Sequence, residues 1–178
     1  ATTLSLGKNP KSLAEAVATA KSLGMELSKV ESIALSMLQF ESSIENELSA
    51  ELLIGKELNL ERARFAAINN DVATLASEIA SQMGSAANFG EMSAIQQEAL
   101  AKAVGMNREE LAQTLYIQEQ LAGLTGEDAK KKEQILNKRI AEVGLAQAQQ
   151  EIAKDGYDTL ENQASVQERI LLVTEKLS

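Results

Sequence analysis

The pattern that decides the fold lies between Ser28 and Ile54 and reads SKVESIALSMLQFESSIENELSAELLI. Apolar side chains recur in it at steps of three and four, which keep the first five on one face of an α-helix, while the last two, each a step of four, drift around the axis. They are Val30, Ile33, Met37, Phe40, Ile44, Leu48 and Leu52. Ser28 and Glu31 have the spacing of a capping box, and Gly55 suits the left-handed position after a last helical turn. The sequence therefore predicts one continuous central helix, roughly 39 Å long.

The opposite face of this predicted helix is acidic. Its charged side chains are Lys29 and the glutamates Glu26, Glu31, Glu41, Glu45, Glu47 and Glu51. Two pairs, Glu41 with Glu45 and Glu47 with Glu51, lie one turn apart and have the spacing to share a cation. A solvated acidic face is the simpler interpretation of such a charge run, and we favour it.

The composition excludes several classes of function. The chain has 178 residues with 44% hydrophobic and 3% aromatic content, so alanine and aliphatic side chains must fill the core. Histidine and cysteine are absent, which excludes catalytic triads built on them, thiolate metal sites and disulfides. The net charge of −9 argues against nucleic-acid binding as the main activity. We expect no metal, no cofactor, no small-molecule substrate and no enzymatic activity.

The ends of the chain suggest a piece of a longer protein. No apolar run approaches the length of a membrane span, and the first residues lack the charged and apolar regions of a signal peptide. They also lack an initiator methionine. We therefore expect a processed chain or an internal segment, without a membrane span.

Helix start and stop residues agree with the apolar spacing in many other segments. The pattern predicts further helices at 10–23, 60–68, 72–83, 93–105, 107–123, 125–144, 145–154 and 165–178. Candidate caps are Asn59, Asp71, Ser93 with Gln96, and Asn107 with Glu110. Residues 85–92 are expected to form a turn or a single helical turn. No segment alternates polar and apolar residues as a strand would, so we predict an all-α bundle of about eight or nine helices.

The chain is expected to comprise a helical core domain at residues 1–124 and a charged helical extension at 125–178. The extension would pack on the core or lead to further chain. Its last segment carries a second apolar seam, formed by Val166, Ile170, Val173 and Leu177. Both this seam and the one in residues 28–54 fit either the core face of a bundle or a surface that binds another helix.

Two segments resemble each other within the chain. Residues 13–31 and 99–110 both read as a helix, a Gly-Met pair and a capped helix. Two ordinary short turns between helices explain this similarity without an internal repeat, and that is the interpretation we favour.

The remaining motifs have simple structural interpretations. Gly55-Lys56 lacks the upstream glycine of a phosphate-binding loop and fits a helix end. The Asp155-Gly156-Tyr157-Asp158 stretch lacks the alternating ligands of a calcium loop and is interpreted as a turn. The basic run of residues 130–132 with Lys138 and Arg139 is balanced by nearby acids, so it predicts a salt-bridged surface helix.

Several stretches together resemble a segment of tape-measure-like structural proteins of tailed bacteriophages, including marine phages. They are FESSIENE (40–47), LLIGKELNLERAR (52–64), AINND (67–71), MSAIQQEALA (92–101) and GM (105–106). The resemblance covers roughly residues 10 to 125. It consists of helical segments and carries no catalytic residue.

This resemblance implies a mostly helical protein inside the tail tube, whose length sets the length of the tail during assembly and which leaves ahead of the genome on infection. It implies tail tube subunits or further copies of the chain as partners, and a location in the virion after assembly in the host cytoplasm. Proteins of this kind are much longer than 178 residues, which fits an internal segment. The alternative is a soluble helical adaptor that binds one partner helix through an apolar groove. Its expected location is the cytoplasm and not the virion.

Overall fold

The computed structural model describes residues 10–124 and 126–155, and no strand occurs in these ranges. Their ten helices are α1 (Pro10–Ser22), α2 (Leu27–Met37), α3 (Phe40–Ile54), α4 (Glu61–Ile68), α5 (Val72–Met83), α6 (Ala86–Glu91), α7 (Ala94–Ala103), α8 (Arg108–Leu121), α9 (Gly126–Val143) and α10 (Leu145–Asp155). The all-α prediction is confirmed. The predicted helix at 165–178, with its seam of Val166, Ile170, Val173 and Leu177, lies outside the described residues.

The contacts within the chain divide it into two compact units, Ala1–Ala122 and Gly123–Ser178. The first unit contains α1 to α8 and a continuous hydrophobic core. Alanines contribute to that core from helices throughout the unit: Ala16, Ala20, Ala34, Ala50, Ala63, Ala66, Ala67, Ala76, Ala101 and Ala103. Small side chains let helix backbones approach closely, which suits a chain with so few aromatic residues.

The predicted continuous helix over residues 28–54 is wrong, because the chain leaves helical geometry between α2 and α3. Leu38 ends α2, and Gln39 has φ −85° and ψ 74°, outside the helical region. The predicted capping box of Ser28 and Glu31 is also wrong. The residue before α2 is Glu26, and its side chain makes no capping hydrogen bond.

The break between the helices changes which face is buried. α2 buries Val30, Ile33, Ala34 and Met37, as the apolar pattern predicts. α3 instead buries Ser43, Glu47 and Ala50, whereas the apolar residues of the pattern, Phe40, Ile44, Leu48 and Leu52, are exposed. At 3.6 residues per turn, the inward face of α3 is rotated by roughly a third of a turn from the one that a straight helix would present.

Several predicted helix boundaries are confirmed. The Asp71 side chain accepts a hydrogen bond from the Thr74 backbone N–H at 3.2 Å at the start of α5. Ser93 and Gln96 form the predicted reciprocal capping box of α7. Gly55 ends α3 in the left-handed conformation. Leu60, and not Asn59, immediately precedes α4, but the Asn59 side-chain oxygen accepts a hydrogen bond from the Glu61 backbone N–H at 3.3 Å and so satisfies the first donor of that helix.

The two Gly-Met segments form the same turn and pack on each other reciprocally. In both, the methionine N–H bonds at 2.8 Å to a carbonyl five residues earlier, and the glycine has a positive φ. A Cβ atom on Gly24 would lie 2.9 Å from the Thr114 carbonyl oxygen, and one on Gly105 would lie 3.4 Å from the Ile33 Cα. Thr114 follows Gly105 by nine residues, as Ile33 follows Gly24. The α1–α2 and α7–α8 hairpins therefore meet through equivalent positions.

Candidate functional site

A nearly buried ion pair joins α3 to α4. The Arg64 Nη2 lies 2.6 Å from the Glu47 Oε2, and the two side chains are only 12% and 10% exposed. Arg64 Nη1 also donates to the Ser43 hydroxyl at 3.1 Å, and the Leu60 backbone N–H donates to Glu47 Oε1 at 3.0 Å. Buried ionic groups are tolerated when their hydrogen-bonding capacity is filled in this way. The pair therefore sets how α4 lies against α3.

Side chains of α3 and α5 accept hydrogen bonds from the backbone of the loop between α3 and α4. The Leu58 N–H donates to Glu51 Oε1 at 2.9 Å, and the Asn59 N–H donates to Gln82 Oε1 of α5 at 2.8 Å. Glu51 and Glu47 thus each accept from the backbone, and Glu47 is buried. The prediction that they belong to a solvated acidic face is wrong for Glu47. No cluster of three potential ligands for a metal ion occurs within the described ranges.

Above the ion pair, α3 and α4 enclose an open groove of about 870 Å³, which we call the α3–α4 groove. Its apolar walls are Phe40 and Ile44 from α3 and Phe65 and Ile68 from α4. All four are largely exposed, Phe65 by 68%. The floor contains Glu47 and Arg64, whose charges are already matched. The groove therefore offers a ligand apolar side chains on its walls and polar groups over about the same area.

The apolar surface continues beyond the groove along α3. Leu48 is 55% exposed and Leu52 is 86% exposed, and with Phe40 and Ile44 they recur at every fourth residue. We call these four residues the α3 stripe. Large apolar side chains in a contiguous exposed patch mark interaction surfaces more often than isolated ones do.

The predicted seam in residues 28–54 thus separates into two parts. Val30, Ile33 and Met37 are fully buried and belong to the core of the first unit. The α3 stripe is exposed and is the part that remains available to another molecule. The sequence left both interpretations open for all seven residues.

The rim of the groove is predominantly acidic. Glu57 and Glu61 line it and are exposed, and Lys56 is the exposed base beside them. Along α3, the exposed Glu41 and Glu45 each lie three residues before a stripe residue, which places them on its flank. The surroundings of the groove and stripe therefore carry more negative than positive charge.

The second unit contains a different ionic arrangement, between α9 and α10. Arg139 donates from Nε and Nη2 to the two carboxylate oxygens of Glu151, at 2.8 and 2.7 Å, and from Nη1 to Glu142 at 3.2 Å. The hydrogen bonds from Arg139 lower the pKa of Glu151, and the same bonds raise the pKa of Arg139. Arg139, from the predicted basic run, is thus used to hold two helices together.

Comparisons of the chain with known protein families, with curated proteins and with solved structures find no match. Within the described ranges, every helix is too short or too polar to cross a lipid bilayer.

Proposed function

We propose that this chain is a non-enzymatic structural protein that works by binding another protein through the α3–α4 groove and the α3 stripe. The observation that carries the proposal is the exposure of six large apolar side chains on α3 and α4, two helices that a nearly buried ion pair links. α3 packs mainly on α7, and its buried side chains are Ser43, Glu47 and Ala50. The exposed surface of the α3 stripe is not used in these contacts and retains a driving force for association.

In its specific form, the proposal is a tape-measure-like protein of a bacteriophage tail, with tail tube subunits or further copies of the chain as partners. The support is the sequence resemblance together with its position. The resembling stretches at 40–47, 52–64 and 67–71 contain most of α3, the loop and most of α4, which are the elements that form the groove. The residues that resemble a tail protein and the residues that form a docking surface are thus largely the same.

Composition of purified particles tests the tail proposal. Phage particles grown from a host that carries this sequence would be purified, separated into heads and tails, and analysed by mass spectrometry. We expect peptides from residues 40–64 in the tail fraction. Peptides present only in the infected-cell lysate would reject the tail proposal and leave the protein-binding proposal standing.

The second candidate function is an adaptor that binds a single partner helix. The observation that favours it is the size of the surface, since the α3 stripe extends from Phe40 to Leu52, or about 18 Å of helix. Sedimentation of the isolated chain separates the two candidates. A stable monomer that takes up one partner supports the adaptor, whereas assembly into trimers or larger species supports the tail protein.

A further inference from the structure

We infer that the α3–α4 groove and the α3 stripe receive an amphipathic helix whose polar flanks carry lysine or arginine. This inference rests on the proposed function, that the surface binds protein, and it specifies the chemistry of the partner. Three observations carry it: the shape of the surface, the sign of the charge around it, and the involvement of its basic groups in existing contacts.

The shape of the surface fits a helix. Phe40 and Ile44 of α3 form one row beside the groove, and Phe65 and Ile68 of α4 form the second. Leu48 and Leu52 extend the α3 row beyond the groove and turn gradually around the helix axis. Two rows of apolar side chains with a groove between them match the apolar face of an amphipathic helix, which inserts side chains at steps of three and four. Because the stripe extends about 18 Å, a partner helix of at least about 12 residues is needed to cover it.

The charge around the surface selects a basic partner. Glu57 and Glu61 lie at the groove, and Glu41 and Glu45 flank the stripe. A helix seated on the apolar rows brings its flanking residues next to these carboxylates, and opposite charges there raise the association rate and reject acidic competitors.

The nearby basic groups of α4 do not offset this charge. Arg64 is paired with Glu47 at 2.6 Å, and Arg62 is paired with Glu78 of α5 at 3.4 Å. Lys56 is the remaining base at the groove. The same charges disfavour a second copy placed face to face on this surface, because the two acidic rims would then meet.

A library of displayed peptides tests the inference without assuming the partner. Helical peptides of about 15 residues would carry leucine at fixed steps of four, three and four, with every flanking position randomised between basic, acidic and neutral residues. The full chain would be the selecting protein. We expect the enriched peptides to carry lysine or arginine at the flanks, and their affinity to fall as ionic strength rises.

Variants of the chain locate the binding. Phe65→Ser and Ile44→Ser are each expected to lower the affinity of the chain for the enriched peptides by about tenfold or more. Ile95→Ser on α7 is the matched control, because Ile95 is 67% exposed, compared with 68% for Phe65, and does not line the groove. It should leave the affinity unchanged. The double variant Glu57→Lys with Glu61→Lys should transfer the preference to peptides with acidic flanks.

The outcomes separate this inference from the proposed function. If the enriched peptides carry neutral or acidic flanks and Phe65→Ser still abolishes their binding, the inference of a basic partner is overturned. The proposal that the α3–α4 groove binds protein then still stands. Binding that is unaffected by both Phe65→Ser and Ile44→Ser would overturn the groove and the proposal built on it. A dimer of the chain that Phe65→Ser dissociates would identify a second copy as the occupant and overturn the inference.

Discussion

The helices α2 and α3 follow each other with two residues between them, yet they use opposite kinds of side chain to face the core. α2 buries Val30, Ile33 and Met37 and so packs by hydrophobic contact. α3 buries Ser43, Glu47 and Ala50, packs mainly on α7, and is linked to α4 by an ion pair and hydrogen bonds. This difference shows that an apolar stripe indicates a helical face that needs a partner, and does not say whether the partner is the same chain.

The largest expected effect comes from the same substitution made in the two helices. Ile33 is fully buried in α2, whereas Ile44 is 45% exposed in α3. Ile33→Ala should lower the free energy of unfolding by about 2–5 kcal/mol, because it removes buried apolar atoms and leaves a cavity. Ile44→Ala should stay within about 0.5 kcal/mol. Urea unfolding followed by circular dichroism measures both, and equal losses would contradict the division of the seam.

The next effect concerns the nearly buried ion pair between Glu47 of α3 and Arg64 of α4. Glu47→Gln keeps a carbonyl acceptor for the Leu60 N–H and removes the charge that Arg64 faces. We expect a loss of about 2–3 kcal/mol, because the guanidinium is left nearly buried without its counter-charge. Glu45→Gln, on the exposed side of the same helix, is the control and should be near neutral. A neutral Glu47→Gln would show that the pair does not fix α4.

A smaller effect compares the glycine before α2 with the glycine after α3. Both have φ of +74°, so alanine is strained at either position, at a cost of about 1–2 kcal/mol. Only at Gly24 does a Cβ also meet backbone, 2.9 Å from the Thr114 carbonyl oxygen; at Gly55 nothing lies within 4 Å. Gly24→Ala should therefore be the more destabilising in thermal unfolding. The reverse order would argue against the reciprocal packing of the hairpins.

The smallest effect concerns Lys29, the basic residue of α2, which forms an ion pair with Glu110 of α8. Both side chains are about a third exposed, so we expect Lys29→Met to change stability by less than about 1 kcal/mol. Desolvation by burial lowers the pKa of Lys29 below its ordinary value of 10.5, and Glu26 opposes this effect.

The direction of that shift gives a pH dependence. The folded chain holds the Lys29 proton less tightly than the unfolded chain does, so the contribution of Lys29 to stability should rise as pH increases from its folded pKa towards 10.5. Unfolding curves of the parent chain and of Lys29→Met, recorded across this alkaline range, test the sign. A parent chain that loses stability relative to the variant there would contradict it.

Much of the fold could be predicted because its signals are local. Asp71 and the Ser93–Gln96 pair cap helices through hydrogen bonds with N–H groups three residues away, so their effect depends on the nearby sequence alone. The break at Leu38 and Gln39 carries no such signal, since neither proline nor glycine occurs there. It became visible only when the packing of both helices was known.

The binding surface was predicted only in part. Four of its residues belong to the apolar pattern of residues 28–54, but Phe65 and Ile68 were assigned to an ordinary short helix. A signal was present: Ser43, Glu47 and Ala50 recur at steps of four and three, which is a small and polar face that suits close packing. To recognise this face as the buried one, the partner of Glu47 must be known. That partner is Arg64, which lies 17 residues later on a different helix, and the spacing of side chains within one helix does not show such a contact.

Local sequence is enough to predict that this protein is helical, where most of its helices begin and end, and that its core depends on alanine and aliphatic side chains. These properties follow from backbone hydrogen bonding and side-chain size, which act over a few residues. Which face of α3 turns inward depends on distant parts of the chain. α3 packs mainly on α7, and its inward Glu47 pairs with Arg64 of α4. Hydrophobic attraction has no direction of its own, so the apolar spacing within α3 does not show this choice.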